Sequence, residues 1–573
     1  MFDTVTRLGA SNAEDDYEIT KSLRFNDNDS PSLTWSPSGV GNRRTFTFSF
    51  WTKLGPTAAT SGNAVIFHAG ATSITDGFFE MRFGAAGFRV RYCDGGGGGN
   101  AKYKRTVAKY KDTAKWYHCV CAVDTTQGTA DNRMKFYVNG VQETDIFDDG
   151  SNTAAVDQNH DYLVNNNQTQ TIGYGRSSTG GVDGYTDQLL AEWHFIDGSA
   201  LTPDNFGETK ASTGEWIPIE YEGSHGTNGY YLSFGDTSAL GNDDSSNSNN
   251  WTPSNFSVSA GPGNDSLTDT PTSNYCVLDC LDVKDSIITD GNLSTATTAG
   301  GGHQPNFSTF GLTSGKWYVE GRAIGGTSAV VCVWPKDHDS NSLDQDHAPH
   351  NNAGNQNAKG YGCNLQYGSV THTPSNSVTS YMSTSFTVWM LALDLDNGKI
   401  WWGVDGTWGN NGGTGDPAAG SNPAFSSGLT GESWSVGGLT YNGNNLSFNF
   451  GQQPFSHTPP TGFLPITTQN LPEPTIKDPT AYFNTVLYDG NNSTNAITGV
   501  GHQPDLTWIF CRTDDRSRTM VDSVRGFNGS SGRVIQSEST AAEWESAYFN
   551  SLDADGFTVS GSENYINNSS HKY

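Results

Sequence analysis

An all-β chain of several packed modules is predicted by three features of the sequence. Aromatic and β-branched residues gather in short alternating runs, while long runs of the strong helix formers Ala, Leu, Glu and Lys are missing. Turn chemistry is abundant, with 68 glycines interleaved among 29 Phe, 23 Tyr and 15 Trp. The 573 residues exceed what one core organises, and predict about three or four domains.

The clearest run is Trp116 to Gly140, WYHCVCAVDTTQGTADNRMKFYVNG. Trp116 to Val123 is dense in strand formers, and Met134, Phe136 and Val138 alternate with Lys135, Tyr137 and Asn139. Asn139-Gly140 supplies the positive-φ pair of a tight type I′ turn, with Val141-Gln142 starting the return strand. This pattern resembles the central strands of laminin-G-like, concanavalin-A-like jelly rolls. Further matches to that family are SLRFNDNDSPSLTWSP from Ser22, TFTFSFWTKLG from Thr45, TIGYGR from Thr171 and GYTDQLLAEWHFIDGSALTPDNFGE from Gly184. The resemblance implies a jelly roll over 22–235, after an acidic N-terminal arm (1–21) with little to bury, either flexible or ordered on a partner.

Within the jelly roll, five successive glycines after Asp94 predict a mobile loop, followed by the basic cluster Lys102, Lys104, Arg105, Lys109 and Lys111. That cluster suits an acidic glycan, a neighbouring subunit, or an edge strand whose lysines discourage sheet-to-sheet pairing. Residues 236–274 are a Gly/Asn/Ser-rich connector. Trp251, Phe256 and Leu267 are too apolar for free coil, so the connector is expected to lie along a domain or a neighbouring chain.

A second module spans 275–470, with SGKWYVEGRAI from Ser314, FTVWMLALDLDNGKIWWGVDGTWGN from Phe386 and SWSVGGLTYNGNNLSFNFGQQPF from Ser433. Val388 to Leu395 reads as a strand, Asp396-Asn397-Gly398 as a turn, Ile400, Trp402 and Val404 as the inward residues of the next strand, and Asp405-Gly406 as another turn. The order resembles a SPRY domain, itself a concanavalin-like sandwich that commonly binds proteins through its loops. A Pro-rich spacer (471–480) leads to a third β-rich module over 481–573, where Thr507 to Cys511 and Gly556 to Ser560 read as strands.

This module order, together with the segment GNDDSSNSNNWTPSNFSVSAGPGNDSLTDTPT (241–272), resembles structural proteins of tailed bacteriophages. The resemblance implies an elongated virion protein of tandem sandwiches, a tail fibre, spike or other appendage. It would be made in the host cytoplasm and contact other virion proteins and a host-surface glycan or protein. It also implies that the third module continues past Tyr573. Such fibres commonly form homotrimers, although no heptad or β-helix repeat enforces one here. Alternatives are an architectural capsid or tail-associated protein, a bacterial adhesin and a glycan-cleaving enzyme.

The formal charge of −28, from 60 acidic and 32 basic residues, argues against nucleic acid and anionic membranes as partners. No run approaches the roughly 20 apolar residues of a membrane span, and the first 22 residues lack the basic and apolar regions of an export signal. Eight cysteines are few. Cys119 and Cys121, two apart on one strand, are roughly 6–7 Å apart, too far for a relaxed disulfide. Cys276 and Cys280 have Cys332 or Cys363 as possible partners in a disulfide or metal site, without a supporting ligand spacing.

Sandwich glucanases present paired carboxylates from one strand, about 5 Å apart when retaining. The nearest residues here are Glu192 and Asp197, read as strand-end polar groups, so no catalytic residue is assigned. Asp337, Asp339 and Asn341 have the 1, 3, 5 spacing of a Ca²⁺ loop, with Asp344 and Asp346 beyond. Position 6 of that loop is Ser342 rather than Gly and position 12 is Ala348 rather than Glu, and a solvated acidic loop is the simpler alternative. Laminin-G-like domains often bind calcium at a sandwich rim, and the resemblance implies Asp148-Asp149-Gly150 or Asp183 as contributors there, although no spacing compels it. Sugar faces pack on exposed rings, which makes Tyr174, Trp401 and Trp408, flanked by Gly and polar residues, the candidate carbohydrate-binding residues, although most sandwich tryptophans belong to the core.

Overall fold

The computed structural model describes residues 17–573 apart from 62–63, 71–76, 95–100, 148–155, 177–180, 284–285, 298–303, 325, 327–328, 337–359, 373–375, 379 and 410–413. The chain forms two compact units, 1–209 with 216–473 and 210–215 with 474–573. Regular structure is almost entirely antiparallel strand, as the composition predicts.

The larger unit holds two sandwiches. In the first, an eight-stranded sheet runs Val141–Glu143, Met134–Val138, Trp116–Asp124, Thr45–Leu54, Gln188–Asp197, Ser22–Phe25 and Ser266–Leu267, with Tyr230–Leu232 pairing alongside Gln188–Asp197. It faces a seven-stranded sheet of Thr252–Ser254, Ser32–Trp35, Gln170–Ile172, Phe67–Gly70, Phe78–Arg82, Arg89–Cys93 and Lys102–Arg105. The Asn139-Gly140 hairpin forms as expected, with φ of 48° and 80° and Val138 opposite Val141. Phe48, Phe67, Phe79, Trp193 and Phe195 fill the space between the sheets, with Phe48 and Phe195 rings 4.8 Å apart.

The second sandwich pairs a seven-stranded sheet, centred on Lys316–Ile324 and Trp389–Asp394, with a six-stranded sheet centred on Ala329–Pro335 and Trp434–Thr440. Asp405-Gly406 makes its predicted tight turn, with φ of 46° and 80°. The smaller unit has a three-stranded sheet and a five-stranded sheet over a core of Ile509, Val521, Val534, Phe549 and Phe557.

Two regions depart from the pattern reading, and the basic cluster follows its edge-strand reading. The stretch 236–274, expected as a connector, supplies edge strands to both sheets of the first sandwich: Thr252–Ser254 pairs with Ser32–Trp35, and Ser266–Leu267 pairs with Ser22–Phe25. Strands of two or three residues carry too short an alternation to stand out among Ser, Asn and Gly. Part of the N-terminal arm also packs on the first sandwich, where Ile19 is buried on the outer face of the eight-stranded sheet against Trp51, Trp116 and Leu189. The basic cluster includes an edge strand, Lys102–Arg105. Lys102 Nζ there meets Asp157 at 2.8 Å, Lys104 Nζ donates to Met134 O, and the Arg105 guanidinium lies 3.8 Å from the Phe147 ring centre.

None of the eight cysteines forms a disulfide. Cys119, Cys121, Cys276, Cys280, Cys332 and Cys363 are buried, and burial raises each thiol pKa above its ordinary value.

The two sandwiches share a continuous apolar core from Leu23 to Leu471 and are joined by buried charge. Lys53, on the Thr45–Leu54 strand, is 1% exposed, and its ammonium finds three acceptors: Asp269 Oδ2 at 2.7 Å, Asn274 Oδ1 at 2.8 Å and Tyr275 O at 2.7 Å. The other Asp269 oxygen accepts from Trp116 Nε1 at 3.0 Å and Tyr275 N at 3.2 Å. Arg24 is equally enclosed and pairs with Asp265 through Nε at 3.0 Å. Lys53→Met, which strands the Asp269 charge, is expected to destabilise the larger unit by about 3–5 kcal/mol, read as a lower urea midpoint.

Two histidines, His68 and His118, are buried, and His225 is half-buried. His118 accepts at Nδ1 from Trp216 Nε1 (2.9 Å) and sits 2.8 Å from Ser49 Oγ through Nε2. Burial is the main cause that pushes its pKa down from 6.5 to about 3, and those of His68 and His225 to about 4. Between 6.5 and these values the unfolded chain binds more protons, so stability is lost as pH falls through that window. Urea midpoints should therefore drop from pH 7 to pH 5, and His118→Gln should flatten that slope.

Candidate functional site

The sequence-predicted sugar-binding residues fall in unlike surroundings. Trp401 and Trp402, adjacent on the Lys399–Val404 strand, point to opposite faces of the sheet. Trp402 enters the core between the sheets. Trp401 points outward, yet it is covered: it packs with Tyr318, Met390 and Phe463 and is 0% exposed. Its Nε1 donates to Ser421 O at 2.9 Å. The expectation that Trp401 offers an open face is therefore corrected, because chain beyond the sheet, carrying Phe455 and Phe463, lies over it.

Tyr174 is likewise buried, its ring centre 5.3 Å from the Arg176 guanidinium and 5.6 Å from the Tyr185 ring, which corrects the same expectation for it. Trp408 is half-buried beside Tyr318, ring centres 6.3 Å apart. The structure does not bring these three rings into one site. The candidate Ca²⁺ residues Asp337, Asp339, Asn341, Asp344 and Asp346 lie outside the described residues, as do Asp148, Asp149, Gly150 and the side chain of Asp183.

Glu192 occupies a β-bulge, where pairing with the Thr45–Leu54 strand slips between Ala191 and His194, and its φ is 49°. The bulge turns its carboxylate towards two phenols. Oε2 accepts from Tyr17 at 2.8 Å and Oε1 from Tyr231 at 2.7 Å. Burial, then the Glu192 charge, raises both phenol pKa values, so both stay protonated donors. His194 stacks on Tyr231 with ring centres 4.3 Å apart and contacts His225 Nε2 through Nδ1 at 3.2 Å. Asp197 is also committed, accepting from Asn42 N and Asn165 Nδ2 at Oδ1 and from Asn228 N at Oδ2. Both carboxylates hold chain segments together.

An open aromatic surface occurs instead in the smaller unit. On Leu506–Ile509, Thr507 and Ile509 face inward, while Leu506 and Trp508 face out at 55% and 53% exposure. Phe510 continues the outer row. The Trp508 and Phe510 rings are 4.6 Å apart and tilted by 49°, Trp508 Nε1 donates to Ser537 Oγ, and the Arg518 guanidinium lies 5.9 Å from the Phe510 ring centre. Trp508 is the one exposed tryptophan among the described residues. In LTWIF the alternation separates the two faces, but the outer row Leu506, Trp508 and Phe510 is the more apolar and the inner row is Thr507 and Ile509, so the pattern points to the wrong row as core.

These features define a multidomain, nearly all-β protein that carries a concanavalin-A-like domain. Residues 27–204 match the family described as the Concanavalin A-like lectin/glucanases superfamily, and residues 478–573 match a domain of unknown function, DUF7483. No curated protein matches the chain. Among solved structures it is similar to the native heptameric SAP-like pentraxin from Limulus polyphemus, with 17% identity over 32% of this chain and 80% of that one and a TM-score of 0.23. It is also similar to the TRIM65 PSpry domain (15% identity, 31% and 90% covered, TM-score 0.23) and the SPRY domain of human HERC1 (15% identity, 30% and 96% covered, TM-score 0.22).

The contrast between the tryptophans is measurable. Trp401→Ala is expected to cost about 3–5 kcal/mol of stability, whereas Trp508→Ala should change it by less than about 0.5 kcal/mol, both read from urea unfolding.

Proposed function

We propose that this protein is a non-enzymatic adhesive component of a phage virion that binds host-surface glycans, with Trp508 and Phe510 as one contact surface. The observation that carries the binding reading is the exposed pair of rings. Two tilted aromatic faces at this separation offer apolar area to sugar C–H faces, and Arg518 and Ser537 provide hydrogen-bonding groups at the rim. The superfamily matched at 27–204 includes lectins by its description, which supports a carbohydrate-binding role for the first sandwich as well.

The non-enzymatic reading is supported by Glu192 and Asp197, whose oxygens are engaged by the protein's own donors. The virion assignment rests on the resemblance of the module order and the 241–272 segment to tailed-phage structural proteins. In that setting the protein is made in the host cytoplasm, assembles with other virion proteins as a homo-oligomer, and gains avidity from repeated copies.

A second reading is favoured by Leu506 and Val524, 55% and 94% exposed in the same unit. Aliphatic side chains suit a protein partner better than a sugar, which makes this an architectural surface contacting other virion proteins.

Binding of the purified chain to candidate host cells, with and without periodate oxidation of surface glycans, tests the proposal. Saturable binding that periodate abolishes, and that Trp508→Ala with Phe510→Ala weakens by at least about tenfold, is expected, since losing aromatic contacts at a binding centre typically costs over about 1.4 kcal/mol. No binding to cells that adsorb whole virions would favour the architectural reading.

A further inference from the structure

The junction at Lys53 brings together the three groups that a bond-forming site needs: a primary amine, a carboxamide and a carboxylate. The Lys53 and Asp269 side chains are each 1% exposed, so water is kept from the amine and the carboxylate. Lys53 Nζ lies 2.8 Å from Asn274 Oδ1, an atom one bond from the amide carbon, and 2.7 Å from Asp269 Oδ2.

Each member is held by further contacts of its own. Asn274 Nδ2 donates to Ala114 O at 2.7 Å, which sets the amide with its oxygen towards the amine. The Asn274 backbone carbonyl accepts from Thr468 N at 2.8 Å and Thr467 Oγ1 at 3.1 Å, so the residue has little freedom to withdraw. Asp269 is fixed through its other oxygen by Trp116 Nε1 and Tyr275 N. The third contact of Nζ, to Tyr275 O at 2.7 Å, keeps it between the amide and the carboxylate. Holding an amine against an acyl group in this way turns a bimolecular encounter into an intramolecular one, which raises the effective concentration by several orders of magnitude.

We propose that Lys53 and Asn274 become joined by an isopeptide bond, with Asp269 as the group that moves the protons. The Nζ–Cγ bond forms and the Cγ–Nδ2 bond breaks, releasing ammonia. The step begins with a proton passing from Nζ to Asp269 Oδ2, which leaves two neutral groups where unpaired charge is costly. A one-third turn about Cε–Nζ then points the freed lone pair at Cγ. Of the three ammonium protons, one stays on the new amide nitrogen, one passes through Asp269 to Nδ2 and completes the ammonia, and one remains on Asp269. No oxidant or outside reagent enters. Asn274 is the electrophile rather than Asp269, because a neutral amide carbon accepts a nucleophile more readily than an ionised carboxylate. It is also half-buried where the other two are enclosed, which gives ammonia a way out. The bond links residues 221 positions apart, tying the Thr45–Leu54 strand of the first sandwich to the start of the second. It also restricts the unfolded chain, as any crosslink across a long loop does.

The test is mass spectrometry of the purified full chain, intact and after digestion in urea. The intact chain is expected to be lighter than its sequence by one ammonia. The digest should contain a branched peptide joining the fragments that carry Lys53 and Asn274, absent from Lys53→Arg and from Asn274→Ala. Asp269→Ala should lose most of the link, and Asp269→Glu, which keeps a carboxylate, should retain part of it. A chain of full sequence mass whose digest yields the two fragments separately overturns the proposal, and that result needs no variant to fold. Loss of water with the branch at Asp269 overturns the assignment of Asn274. A full yield of the link in Asp269→Ala overturns the part given to that carboxylate.

Discussion

The larger unit depends on one buried ammonium. Lys53 lies on a central strand of the first sandwich, and the three groups that receive its three N–H bonds all belong to the stretch leading into the second. A lysine enclosed this completely is tolerable only with every donor engaged and a counter-charge in contact. Asp269 meets that demand and is itself fixed by Trp116 and Tyr275. Replacing such a pair by well-packed apolar residues is often no less stable, so its value here lies in geometry: few other routes for residues 265–275 bring all these groups into register.

The sequence shows the fold class and most strands because those are local properties. Alternation in Met134–Val138 and Lys399–Val404, and positive-φ pairs at Asn139-Gly140 and Asp405-Gly406, need no knowledge of the rest of the chain. Burial of an outward-facing residue is different. Trp401 and Trp402 differ by one position, and the strand pattern correctly sends them to opposite faces. Whether the outer face is wet depends on residues 455–463, some sixty positions later. The same limit hid the aromatic pair at Trp508, where the more apolar row of the strand is the exposed one and only the assembled unit shows which row is covered.

Covering chain recurs on the first sandwich. Phe206 and Tyr221 lie over Val120, Tyr137 and Ile196, and Ile19 covers Trp51 and Leu189. Much of the aromatic content therefore seals the outer faces of sheets that would otherwise present apolar stripes, and abundance of rings does not translate into abundance of binding surface. An exposed ring is informative against that background, because the chain leaves it uncovered where it covers so many others. Glu192 belongs to the same sealing logic, its bulge turning a carboxylate to hold the Tyr17 segment in place.

The edge strands donated by residues 252–254 and 266–267 have a consequence for synthesis. Chain emerging from the ribosome in order has every other strand of the first sandwich before either of these appears. Until then the Ser22–Phe25 and Ser32–Trp35 strands each carry an open row of backbone donors and acceptors, the kind of edge that recruits a neighbouring nascent chain. Pairing residue 23 with residue 266 also closes one of the longest loops in the unit, a slow step for a β topology. On a crowded polysome the first sandwich is thus exposed to mispairing until the segment after it has been made.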